Sequence, residues 1–151
     1  MTRLKHYKQR RKARIHLQAP LVTLFVLSLL LAWDGAGIVR MGLLCALLHE
    51  TGHLLVYRWQ WHHWPDLQVS PTGICLLMRG TAMTARQEFF LAAAGPMVNL
   101  AACGLVLGFM EQTRYSYTGY WFASTNLLVG GINLLPLPGL DGERIRRSFW
   151  H

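Results

Sequence analysis

The sequence predicts an all-α membrane protein of about four transmembrane helices, with a small β-hairpin between the second and third. Three observations lead there. Apolar residues make up 52% of the 151 and charged residues only 15%, against roughly 25% charged in a typical soluble domain. The apolar residues are bunched into four long runs. The basic residues gather beside those runs: seven of the fifteen Lys and Arg fall between Arg3 and Arg14, and Arg144, Arg146 and Arg147 close the other end.

Taken in order, residues 1–16 carry charge without an apolar period. They read as a basic, flexible cytoplasmic arm, with attraction to anionic lipid headgroups as a secondary effect; residues 17–151 form a single transmembrane domain. The first apolar run, 20–33, falls short of the about 20 residues that a full span needs, though Ala19 and Gly35-Ala36-Gly37 can extend it. A signal peptide is the rival reading, weakened by the length of the basic stretch and by the lack of an A-x-A site. The second run, 38–57, holds His49, Glu50 and His53. Residues 58–66, rich in Trp and His, suit a membrane interface; His62 and His63 are adjacent, point apart on a helix, and read as loop histidines rather than a shared ion site. Residues 67–78 form two short apolar pieces around Ser70-Pro71-Thr72-Gly73, a hairpin pattern. The third run, 88–110, contains Gly95-Pro96, and 111–118 is a polar connection. The fourth run, 119–135, ends at Pro136-Leu137-Pro138-Gly139, which breaks regular helix, and no helix is expected after the element bearing Asp141.

With the N-terminus in the cytoplasm, the hairpin loop and the C-terminus also face in. Thirteen of the fifteen Lys and Arg then lie on the cytoplasmic side, Arg40 and Arg114 excepted, as the positive-inside rule asks. This gives a multi-pass integral membrane protein with both termini cytoplasmic, in a lipid bilayer expected to be a bacterial plasma membrane. The net charge of +8 is explained by these flanks, so no nucleic-acid partner is expected. Cys45, Cys75 and Cys103 are odd in number and form no CxxC pair, which disfavours a disulfide framework; Cys45, one turn before His49, is at most an extra ligand.

His49-Glu50-Thr51-Gly52-His53 is an HExxH motif. Spacing of i and i+4 puts both imidazoles on one helix face, where they can share an ion, and Glu50 can reach a water beside it. Zinc suits imidazole and carboxylate donors with one open position. The motif lies nine residues from Arg40 and nine from Arg58, or about 14 Å from each at 1.5 Å per residue, hence near the bilayer midplane. Ionisable groups there are costly unless they serve a function. A third ligand is needed. Asp34, Asp66 and Glu111 fall at interfaces or in loops. Glu88 suits a helix N-terminus. Asp141 follows a proline-broken stretch, which is tolerated at membrane depth only where it is buried in protein or lines a watery cavity. Asp141 is therefore the best candidate.

Three motifs together, HETGH at 49–53, GPMVN at 95–99 and NLLPLPGLDG at 133–142, resemble in kind and order those of the site-2 protease family of intramembrane zinc metalloproteases. The resemblance is closest to the compact sporulation-type branch. It implies that His49, His53 and Asp141 bind one Zn2+ per chain and that Glu50 is the catalytic base. It implies that Asn99 positions substrate or stabilises the oxyanion, with Asn133 as an accessory substrate-positioning residue. The hairpin resembles the family's substrate-presenting sheet. One departure stands out: Glu143 replaces the second glycine of the usual LDGG. The expected activity is hydrolysis of peptide bonds within or near transmembrane helices of a membrane-protein or membrane-peptide substrate. A regulatory membrane partner or a homodimer would complete the gate. The alternative is a catalytically inactive, binding or chaperone-like member of the same fold.

Overall fold

A computed structural model describes residues 15–70, 73–77 and 83–150. Among these residues the order is β1 (Ile15–Leu17), α1 (Pro20–Trp33), α2 (Ile38–Trp61), β2 (Asp66–Ser70), β3 (Gly73–Leu77), α3 (Ala85–Gln112), α4 (Tyr117–Asn133) and α5 (Asp141–Ser148). The expected all-α architecture with one small sheet is what forms, with two differences.

The first concerns span length. α2, with 24 residues, and α3, with 28, are long and apolar enough to cross a membrane. In the most apolar 18-residue stretch of each, only 22% and 39% respectively is buried inside the fold. Their apolar surface faces outward, which makes the chain an integral membrane protein rather than one with ordinary core helices. α1 has 14 residues and α4 has 17. At 1.5 Å per residue these reach about 21 Å and 26 Å, less than the ~30 Å hydrocarbon layer. The second difference lies at the chain ends. Ile15–Leu17, the end of the expected flexible arm and the start of the domain, pairs in parallel with Leu67–Val69; residues 1–14 lie outside the described part. At the other end, the element bearing Asp141, to which no secondary structure was assigned, is a helix: α5 starts at Asp141 itself. It has Asp141 and Glu143 in its first turn and Arg146 and Arg147 in its last, the polarity that complements the helix dipole.

Local chemistry explains each boundary. Pro20 opens α1, where its missing N–H costs nothing. Asp34 then caps α2: its carboxylate accepts the Val39 and Arg40 backbone N–H groups, each at 3.0 Å, and the Arg40 Nε–H at 3.2 Å. Burial pushes the Asp34 pKa up, but these hydrogen bonds and the Arg40 charge outweigh it, and the carboxyl ends below the usual carboxylate value. Thr84 and Gln87 make a reciprocal capping box at the start of α3, and Ser116 accepts the Gly119 N–H at 2.9 Å to start α4. β2 and β3 form the expected antiparallel hairpin, Ser70 facing Gly73 across the turn and Asp66 facing Leu77. With β1 the sheet order is β1-β2-β3.

α3 is the centre of the bundle. It packs against α2, α4 and α5 and buries Leu91, Ala92, Gly95, Pro96, Asn99, Cys103 and Met110. Close approach rests on small residues. A Cβ at Gly52 of α2 would strike the Ala94 backbone carbonyl of α3, so glycine lets these two backbones touch, as small residues do in membrane bundles.

Candidate metal centre

His49 and His53 lie one turn apart on α2 and are both buried, with rings 4.8 Å apart between centroids. Asp141, the first residue of α5, brings its carboxylate to them. Its Oδ2 lies 2.9 Å from His49 Nε2 and 3.1 Å from His53 Nε2, and the two Nε2 atoms are 3.1 Å apart. The late aspartate, 92 residues from His49, thus meets the pair at one point.

The far side of each ring fixes its proton. His53 Nδ1 lies 2.7 Å from the Leu91 carbonyl oxygen, which can only accept. His49 Nδ1 lies 3.1 Å from Asn99 Oδ1. The amide end of Asn99 donates to the Cys45 carbonyl at 3.1 Å and to Asn126 Oδ1 at 3.0 Å, so its oxygen is the atom that faces His49. In its neutral form each ring therefore carries its proton on Nδ1 and turns an Nε2 lone pair inward. With Nδ1 of each ring committed to an acceptor, Nε2 of both rings and Oδ2 of Asp141 converge in a buried space, a donor set that can hold a cation. Tetrahedral zinc with bonds of about 2.0–2.2 Å sets its ligand atoms roughly 3.3–3.6 Å apart, a few tenths of an ångström wider than the spacing found. The donor set and its geometry fit Zn2+.

Two glycines shape the space. A Cβ at Gly95 would collide with Nε2 of both His49 and His53, and one at Gly142 with the Leu134 and Leu135 carbonyls. Gly95 of the GPMVN motif thereby roofs the ligands without intruding, and Gly142 lets α5 start tightly beneath the end of α4. The second carboxylate oxygen of Asp141 faces Arg144 Nη1 at 3.7 Å, and Arg144 Nε in turn lies 3.9 Å from Glu88 of α3. Glu88 is at the helix start, as its position suggested, and there it also ties α3 to α5. Glu143, in place of a glycine, accepts from Arg147 at 2.5 Å and from the Gly139 N–H at 3.2 Å. The Arg147 hydrogen bond chiefly, with the Gly139 bond and against some desolvation, holds its carboxyl below the usual value. It closes the turn into α5 and pairs with Arg147 and Gly139 rather than with His49, His53 or Asp141.

Glu50 is half-buried beside His49, and its carboxylate lies within electrostatic range of both rings and of Asp141. The structure does not bring together every residue singled out in the sequence. Asn99 is fully buried, and its amide is committed to His49, Cys45 and Asn126, which leaves no polar atom for substrate or an oxyanion; in this arrangement it orients a ligand instead. Asn133 donates back to the Val129 carbonyl of its own helix at 2.9 Å. The candidate ligand group among the described residues comprises His49, His53 and Asp141, without Cys45. Sequence reasoning missed Asn126, the Leu91 carbonyl and Arg144. Only Asn126 left a signal, as an amide in the middle of an apolar run.

No family model matches the chain. In sequence it is similar to "Putative zinc metalloprotease Rip3" of Mycobacterium tuberculosis, in the Erdman and H37Rv strains alike. The identity is 33% over 122 residues, covering 76% of this chain and 31% of that protein. The chain thus spans about a third of the length of this relative. In structure it is similar to the "Site-2 Protease from Methanocaldococcus jannaschii", with a TM-score of 0.67 and 22% identity over 90% of this chain and 66% of that one. The two share a fold.

Proposed function

We propose that the chain belongs to the site-2 protease family and is an intramembrane zinc metalloprotease of the compact sporulation-type branch. The observation that carries this reading is the convergence of three potential ligand atoms, from His49, His53 and Asp141, buried within an apolar bundle. One Zn2+ per chain would sit among them, polarising the scissile carbonyl and easing deprotonation of water.

The protein's own residues supply the rest. Asn99 and the Leu91 carbonyl hold the rings in the ligating tautomer. Glu50 takes a proton from the attacking water as its oxygen bonds to the carbonyl carbon, then delivers that proton to the amine as the C–N bond breaks. The substrate is a transmembrane segment of a membrane protein or peptide. A helical peptide bond hides its carbonyl in the backbone ladder, so the segment must unwind locally, and helix-breaking residues near the cut favour cleavage. The unwound strand can add to the edge of the β1-β2-β3 sheet. All four apolar helices cross or enter the bilayer, the short α1 and α4 with local thinning, and both termini are cytoplasmic. A regulatory membrane protein or a second copy completes the substrate gate.

Glu50→Gln tests the assignment. Cleavage of a helical reporter co-reconstituted with the chain should fall by about 10²–10⁴, while zinc measured on the purified variant stays at one per chain. Retained cleavage removes Glu50 from the role of base. A wild-type chain that takes up no zinc removes the reading altogether.

A further inference from the structure

Beyond the three ligands and the base, a chain of buried amides runs across three helices to His49. Asn126, in α4, and Asn99, in α3, are both fully buried. Asn126 Nδ2 donates to the Phe122 carbonyl one turn back in its own helix, at 2.9 Å. That bond turns Asn126 Oδ1 toward Asn99, where it accepts an Nδ2–H at 3.0 Å. The other Nδ2–H of Asn99 goes to the Cys45 carbonyl of α2 at 3.1 Å. Asn99 Oδ1 is left to accept from His49 Nδ1 at 3.1 Å.

An amide can be flipped at little steric cost, because its oxygen and nitrogen have nearly the same shape. A flipped Asn99 would aim N–H groups at His49 Nδ1, draw the ring proton to Nε2, and fill the position that must bind metal. Two acceptors, Asn126 Oδ1 and the Cys45 carbonyl, oppose that flip. The Cys45 carbonyl is backbone and fixed by α2. Asn126 is the one side chain whose chemistry decides the matter, and the close approach of α4 to α3 puts it in place: a Cβ at Gly130, one turn on, would lie 3.2 Å from the Asn99 Cβ and from the Pro96 carbonyl.

We propose that Asn126 is a positioning residue for the metal centre, acting through Asn99 to hold His49 with its proton on Nδ1 and its Nε2 open. The proposal rests on the zinc reading above and adds to it a residue outside the three motifs. A role through Asn99 differs from a role in packing alone: it must vanish when Asn99 can no longer relay it. Outer partners of metal-bound histidines set ligand basicity and orientation, and their loss weakens metal affinity by about 10–100-fold.

The experiment measures Zn2+ affinity by chelator competition on the full chain in detergent, for the wild type, Asn126→Leu, Asn99→Ala and the double variant. Wild type should bind one zinc, Asn126→Leu about tenfold more weakly, and the double variant no more weakly than Asn99→Ala alone. Asn126→Asp, which keeps an oxygen facing Asn99, should recover most of the loss. Thr125→Ala, which removes only a back-bond to the Trp121 carbonyl on the same helix, should leave affinity unchanged. If leucine unfolds the protein, seen as loss of helical circular dichroism, Asn126→Ala makes the same comparison. Unchanged affinity on loss of Asn126, or a cost that simply adds to that of Asn99→Ala, overturns the relay while the zinc site stands. No zinc on the wild type overturns the site and the relay together.

Discussion

α1 and α3 are both apolar helices of one small bundle, yet they use their side chains in opposite ways. α1 is all but uninterrupted in apolar residues, and it buries none of them: Leu21 is 81% exposed and Phe25 68%. α3 carries Gly95, Pro96 and Asn99 and buries one face along its length, from Leu91 to Met110. In water the first pattern would mark a core helix and the second a poor one. In lipid the order inverts, because tails are as apolar as leucine and association depends on close backbones and interior hydrogen bonds. The comparison teaches where information lies in this sequence. The small and polar residues inside apolar runs specify contacts, and the leucines specify only depth.

The sharpest way to break this contrast is to enlarge the small residue at the metal centre. Gly95→Ala places a methyl group against Nε2 of both histidines. Rotating either ring away sacrifices its bond to the Leu91 carbonyl or to Asn99. Zinc affinity should fall at least about 100-fold, at the upper end of losses from disturbing ligand orientation, and reporter cleavage should fall with it. Both are measured on the purified variant. Gly95→Ala with normal zinc content would show that the roof over the ligands yields more readily than its contacts imply.

A second, smaller effect is expected at the turn into α5. Gly142→Ala drives a Cβ into the Leu134 and Leu135 carbonyls, atoms of backbone that cannot swing aside. α5 must then shift, carrying Asp141 with it. The expected result is a loss of stability of about 1–3 kcal/mol, the usual cost of overpacking, read as a lowered thermal midpoint. Zinc affinity should weaken less than in Gly95→Ala, because the two imidazoles keep their places.

These two glycines also show how much of the site was legible. HETGH, GPMVN and LDG stood out because each combines residue types that are expensive in an apolar run, and their convergence on one point follows from the chemistry of the donors. The hairpin was legible from its turn residues. β1 was not: three residues, Ile15 to Leu17, carry no period of their own, and their partners at Leu67 to Val69 lie fifty residues on. α5 was hidden for a different reason. Its eight residues are almost all polar, so no apolar stripe announces it; charge order along the dipole and the tight seat of Gly142 make it a helix. Asn126 was visible as an amide inside an apolar run, but its partner in another helix was not.

Acid provides a milder test, at the end of α1 where the chain turns into α2. Asp34 ends α1 and caps α2, and its folded pKa lies below its ordinary value near 3.8. Folding therefore favours the charged form, and the contribution of the cap is complete above that ordinary value and lost as pH falls through the lower, folded one. Hydrogen exchange should show the Val39 and Arg40 amides opening more readily as pH drops through this window, once the intrinsic exchange rate is divided out. Asp34→Asn should flatten that dependence and leave the amides of α3 as they were. An unchanged profile in Asp34→Asn would move the cap to another group.

The smallest effect is expected where the comparison began. Phe25→Ala on α1 removes a large ring that touches little of the protein, so unfolding stability in detergent should change by no more than about 0.5 kcal/mol, as for exposed positions generally. Truncation of Leu91 on α3, fully buried, should cost about 2–5 kcal/mol, the range for a leucine cut to alanine in a packed interior. The ratio of the two is the informative quantity. A large cost at Phe25 would mean that α1 is covered by something besides lipid, and the most economical cover is a second protein surface, such as the partner or second copy proposed to complete the gate.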